Sequence, residues 1–200
     1  MNKPDFEFWF DFASTYSYLS IYRIEDRARK EGVAIEWKPF LLGPIFNSQG
    51  WDTSPFNIYK AKGEYMWRDI ERQSEKYGIP FNKPSQFPRN GLLAARVGLA
   101  FEGESWVPEF IRRVFKANFA EDRDIADEIE IASILSSLGL DAPPIIAQAK
   151  SQKSKDKLRE QTQLATDKGI FGAPSFVIGK EIFWGNDRLE DAISWHKKHD

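Results

Sequence analysis

The stretch Phe171–Leu189, reading FGAPSFVIGKEIFWGNDRL, constrains the fold of this chain more than any other. Gly172-Ala173-Pro174 is a turn signal set directly before an apolar, strand-like run from Phe176 to Ile178. Gly179-Lys180 reads as a hairpin connection and Glu181–Trp184 as the returning strand. Gly185-Asn186-Asp187 then signals a helix start, with Leu189, Ala192 and Ile193 following at i, i+3, i+4 spacing. A proline at the first residue of a strand gives up a backbone donor and is a candidate for a cis bond. The N–H and C=O of Ala173 are thereby left open to something extended laid beside them. Taken alone, the pattern is a β-hairpin followed by a helix.

The N-terminal stretch adds the second half of the outline. Phe6, Phe8, Phe10 and Phe12 alternate as a strand would, with Trp9 interposed. Ser14-Thr15 is an N-cap signal, and Ile21, Ile24 and Ala28 continue at helical spacing until Gly32 stops the helix. Strand, hydroxyl-bearing turn and helix at one end, with proline turn, hairpin and helix at the other, outline a thioredoxin-like domain. Ser14-Thr15-Tyr16-Ser17 stands where a redox member carries Cys-x-x-Cys.

The absent residues narrow the chemistry. The chain has no cysteine, hence no disulfide, no thiol nucleophile and no cysteine-based metal site. Its two histidines, His196 and His199, fall in the polar tail of the last helix, which argues against a histidine triad or a histidine-ligated metal and reads as surface placement. A thioredoxin-like chain of this kind cannot exchange disulfides by itself, so any thiol chemistry must use a borrowed thiol. A net charge of −2 with both signs interspersed gives no nucleic-acid footprint. No run of eighteen apolar residues suggests a membrane span, and an N-terminus without an apolar signal core reads as cytoplasmic.

Between the two ends, Val33–Phe40 alternates as a second strand, and Leu41–Pro55 reads as a loop carrying Phe46 and Trp51. Helical patterns follow over Ile58–Tyr77, around Leu93–Phe101, Val107–Phe115 and Ile131–Leu138, and after Pro143-Pro144. The proline-bearing Phe81–Asn90 segment is an extended loop. The expected class is α/β: a thioredoxin-like domain (residues 1–54 and 151–200) with a large all-helical insertion (residues 55–150) between its second and third strands. The insertion walls a cleft over the Ser14 turn and the Pro174 turn.

FDFASTYSYL, KGEYM, KLREQTQLATDKGIFGAPSF and FWGNDRL together resemble the 2-hydroxychromene-2-carboxylate isomerases and their relatives, the kappa-class glutathione transferases. The resemblance covers essentially the whole chain. It departs at Thr15, where the family usually has proline. It implies glutathione as cofactor, a homodimer, and a small aromatic substrate, 2-hydroxychromene-2-carboxylate being interconverted with trans-o-hydroxybenzylidenepyruvate. It implies Ser14 as the residue that activates the thiol. The main chain of Ala173 before Pro174 would pair with the cysteinyl unit. Asn186 and Asp187 would meet the γ-glutamyl end and Lys62 the glycyl carboxylate, with Trp184 and Gly185 also among the glutathione-binding residues. Arg89 and Asn90 could meet the second substrate, Arg89 by holding a carboxylate, with Phe46, Trp51, Trp67 and Phe87 offering an aromatic wall. A kappa-like transferase that releases its adduct, or a non-catalytic thioredoxin-like binding protein, are the alternatives.

Overall fold

The structure, a computed structural model, describes residues 5–199. Strand β1 (Phe6–Phe10) runs into helix α1 (Thr15–Glu31), which crosses over to β2 (Ile35–Pro39). β1 and β2 are parallel, as a helical crossover requires. After the insertion come β3 (Ser175–Ile178) and β4 (Glu181–Trp184), antiparallel to one another, with β3 antiparallel to β1. The sheet order is β2-β1-β3-β4. The ends of α1 are those its sequence signals. Ser14 caps it by accepting from Ser17 N–H at 3.1 Å, and Gly32 closes it at φ +69°, a left-handed conformation that costs glycine little.

Eight helices fill the connection between β2 and β3: α2 (Leu42–Ser48), α3 (Pro55–Ile58), α4 (Lys60–Tyr77), α5 (Leu92–Ala100), α6 (Val107–Phe119), α7 (Glu128–Ser137), α8 (Ala142–Lys150) and α9 (Gln152–Asp167). The 41–55 loop expectation is corrected by α2. Pro44 lies in its first turn, where a missing N–H is tolerated. α9 is a helix under a charged sequence because Leu158, Thr162 and Ala165 give it a narrow buried stripe.

Aromatic packing joins sheet and insertion. Phe8 stacks on Phe10 (5.1 Å) and Phe176 (5.4 Å), and Phe12 meets Phe115 of α6 at 5.0 Å, all fully buried. Each such ring contributes about 1.5–3 kcal/mol by burial. On the other face Trp9 packs on Phe40, Ile45 and Val177. The last helix, α10 (Leu189–Lys198), returns against α1 and β3. His196 is buried edge-on to Phe6 at 5.8 Å, which corrects its expected surface placement, because α10 turns that residue inward with Ala192 and Ile193. Among the described residues no helix is long and apolar enough to cross a membrane.

Candidate active site

Ser14 sits at the N-terminus of α1, where orphan N–H groups and the helix dipole favour an anion. Besides accepting from Ser17 N–H, its hydroxyl donates to the carbonyl of Ala173 at 2.9 Å. The two end stretches of the chain thus meet at one hydrogen bond spanning 159 residues. The Ala173–Pro174 bond is cis, as expected, and so is Phe87–Pro88. Among the described residues the Ala173 N–H has no hydrogen-bond acceptor. The carbonyl of Pro174 takes the N–H of Gly185 at 2.9 Å, closing the hairpin mouth.

These groups border a cleft of about 1040 Å³, lined on one side by residues of the 11–54 and 171–187 stretches and on the other by residues between 55 and 92. Ser14, Lys62, Arg89, Asn90, Ala173, Trp184, Gly185, Asn186 and Asp187 all line it. Pro174 does not. Leu41, Leu42, Phe46, Trp51, Phe56 and Phe87 give the cleft apolar lining. Trp67 stands behind Phe87, 4.8 Å away, rather than on the surface of the cleft.

The γ-glutamyl end expected at Asn186-Asp187 is built from far along the chain. Asn186 Oδ1 accepts from Arg23 (2.7 Å) and Ser20 (3.2 Å), and its carbonyl from Arg23 again (3.1 Å). Arg23 is itself buried, pairs with Glu190 and stacks on the Tyr77 ring at 4.1 Å. The residues Asn186–Arg188 form a 3₁₀ turn, so α10 starts three residues later than the sequence signal. The φ of Gly185 is +114°, a backbone conformation that L side chains rarely adopt, so the backbone favours glycine there. Arg23→Leu is expected to cost about 1–3 kcal/mol by removing the guanidinium donor from the buried Asn186 carbonyl and side chain, where only Ser20 stays on Oδ1. Denaturant unfolding measures this, and an unshifted midpoint would refute it.

Arg89 departs from its expected role. Its guanidinium donates to the Asn118 carbonyl (3.2 Å) and side chain (3.3 Å), the Arg123 carbonyl (3.0 Å) and Ser85 Oγ (3.2 Å), and pairs with Asp122. With both terminal nitrogens engaged and Nε buried, it has no free fork for a substrate carboxylate. Asn90 Oδ1 is likewise occupied, accepting from Leu92 N–H at 2.9 Å at the start of α5.

Two further cleft residues escaped sequence reasoning. Asp11 is buried under the turn and accepts from Ala13 N–H and Leu42 N–H, both at 2.7 Å. Burial pushes its carboxyl above the usual range, against the pull of those two donors. Tyr16 donates to Asp69 Oδ2 at 3.1 Å. Burial, and next the Asp69 carboxylate, hold the Tyr16 phenol far above its ordinary range, so it stays protonated. The reach of Tyr16 across to Asp69 on α4 carries no local signal.

The profile of the DSBA-like thioredoxin domain matches residues 6–193. The chain belongs to that family. It is 30% identical over 185 residues to the 2-hydroxychromene-2-carboxylate isomerase of Sphingobium xenophagum, covering 92% of this chain and 93% of the relative. That relative also makes the chain a member of the isomerase group that the sequence motifs resemble, and so an enzyme by family. Glutathione S-transferase kappa 1 of Caenorhabditis elegans is 24% identical over 200 residues, covering 93% of this chain and 88% of the relative. A solved 2-hydroxychromene-2-carboxylate isomerase superposes with a TM-score of 0.86 at 27% identity, covering 96% of this chain and 94% of that one.

Proposed function

We propose that this chain binds glutathione in the cleft and uses its thiol, activated at Ser14, to isomerise a conjugated aromatic keto-acid. The observation that carries the reading is the meeting of Ser14 Oγ and the Ala173 carbonyl at 2.9 Å within the cleft. An unpartnered Ala173 N–H beside that carbonyl fits the main chain of an extended tripeptide, paired as an added strand. A cleft of about 1040 Å³ is large enough for a tripeptide and a small second molecule, since single drug-sized ligands occupy sites from about 300 Å³ upward. Its apolar lining suits an aromatic ring.

Bound there, glutathione supplies a thiolate whose reversible addition to a conjugated double bond makes that bond temporarily single and free to rotate. Ser14 stabilises the charged sulfur by a hydrogen bond, and the start of α1 adds its dipole. Lys62, exposed on α4 and near the Phe56 ring at 5.7 Å, is free to turn toward the glycyl carboxylate. The main-chain N–H groups of Asn186 and Asp187, without acceptors among the described residues, suit the γ-glutamyl carboxylate. Arg89 and Asn90 are left to shape the wall. The reading extends to a cytoplasmic homodimer, as the family resemblance implies, with residues 55–150 acting as the inserted wall.

Calorimetric titration with glutathione, followed by a screen of conjugated aromatic keto-acids with and without it, tests the proposal. Millimolar or tighter binding is expected, with isomerisation that returns all the glutathione. The relation to a kappa-class transferase gives the rival outcome, consumption of glutathione into a released adduct. No measurable binding would make the chain a non-catalytic member.

A further inference from the structure

Resting on the glutathione reading, we infer that Asp69, fixed by Tyr16, is the principal partner of the γ-glutamyl ammonium, with Asp187 only an outer one. Four carboxylates line the cleft: Asp11, Asp52, Asp69 and Asp187. Asp11 is buried under the turn with each of its oxygens already accepting a backbone N–H, from Ala13 and from Leu42. Asp52 is exposed on the loop after α2. The Asp187 side chain is 75% exposed and already has Arg188 at 3.6 Å, so a pair made there is strongly screened by water. Asp69 is only 18% exposed. Tyr16 fixes one of its oxygens, and the other lies 3.8 Å from Arg72, too far for a hydrogen bond. It therefore keeps acceptor capacity in a less screened position than Asp52 or Asp187.

The spacing along α4 supports the same assignment. Lys62 and Asp69 both line the cleft and are seven residues apart, about two turns or ~10.5 Å along the axis. An extended chain of three residues spans at most about 10–11 Å. One helix thus presents a cation and a carboxylate at the separation of the glycyl carboxylate and the γ-glutamyl ammonium. The turn between them abuts the start of α1, because Thr15 Oγ1 donates to Met66 Sδ at 3.0 Å. The middle, thiol-bearing residue of a ligand laid along α4 is thereby brought level with Ser14. Thr15, where the family usually has proline, supplies this tie.

Calorimetry with glutathione and with its glutaryl analogue, which lacks only the ammonium, is the test. The wild type should prefer glutathione by about tenfold or more, the worth of one charge-assisted hydrogen bond. Asp69→Asn should lose most of that preference, Asp187→Asn about two- to threefold of it, and Tyr16→Phe an intermediate share, since Tyr16 acts only by positioning. Lys62→Met should weaken both ligands equally and leave the ratio alone. A preference that survives Asp69→Asn, or that Asp187→Asn alone abolishes, overturns the inference while glutathione binding stands. Equal losses for both ligands in Asp69→Asn overturn it too. A wild type that binds neither ligand refutes the glutathione reading and this inference with it.

Discussion

Replacing Ser14 by alanine is expected to slow turnover by about ten- to a hundredfold while leaving glutathione affinity almost unchanged. One hydrogen bond to a charged group is worth ~1.5–3 kcal/mol. At 1.36 kcal/mol per unit, the bound thiol's pKa should rise by about one to two units. The affinity survives because the ligand's ends are held elsewhere, at Lys62 and at the Asn186-Asp187 turn. The resting structure adds a reason for expecting a switch. The Ser14 hydroxyl now donates to the Ala173 carbonyl, the acceptor that an added strand would take. A cysteinyl N–H arriving there frees the hydroxyl for the sulfur, so the Ala173 carbonyl has a donor in both states. The mutant also loses its N-cap, at a cost of about 1 kcal/mol in stability. That effect reads out in unfolding and the thiol effect in titration, so the two can be separated. Ultraviolet absorbance of the thiolate against pH measures the second directly, because the protein contributes no thiol of its own. Coincident titration curves for wild type and mutant would reduce Ser14 to a helix cap.

What could be read in the sequence was local. The caps of α1 at Ser14 and Gly32, the Phe6–Phe12 alternation, the hairpin about Gly179-Lys180 and the Ala173-Pro174 turn each depend on neighbours within a few residues. Resemblance and chemistry added the candidate site residues, and nine of them line one cleft. What stayed hidden was set by partners distant in the chain. The buried Arg23 looks like one more charge on a surface helix until Asn186, 163 residues on, is laid over it. Asp69 and His196 were similarly opaque, since tertiary packing alone turns them to the cleft and to the core. α2 was missed because proline and glycine in a short stretch read as loop, although proline in a first turn is compatible with helix.

Arg89→Met, which keeps the length and removes the donors, is expected to lower unfolding stability by about 3–5 kcal/mol. Arg89 has only 4% of its side chain exposed. Its donors serve three backbone carbonyls, at Asn118, Asp122 and Arg123, and the Asn118 side chain, and these would lose those partners. Asn118 in turn donates to the Phe12 carbonyl at 3.0 Å, so the loss propagates to the turn that carries Ser14. The ion pair with Asp122 adds a pH signature. A backbone N–H from Ser85, and then Arg89, hold the Asp122 carboxyl below the usual range. A depressed carboxylate pKa stabilises the fold above the ordinary carboxylate range, and that stability is lost as pH falls through the depressed value. Arg89→Met should flatten this acid limb without abolishing it, since the Ser85 donor remains. Were Arg89 instead a free hand for the substrate carboxylate, the mutant would unfold at the wild-type midpoint and show only a raised KM for the keto-acid. Denaturant unfolding at neutral and acid pH, set beside KM, distinguishes the two, and an unchanged midpoint would return Arg89 to the substrate site.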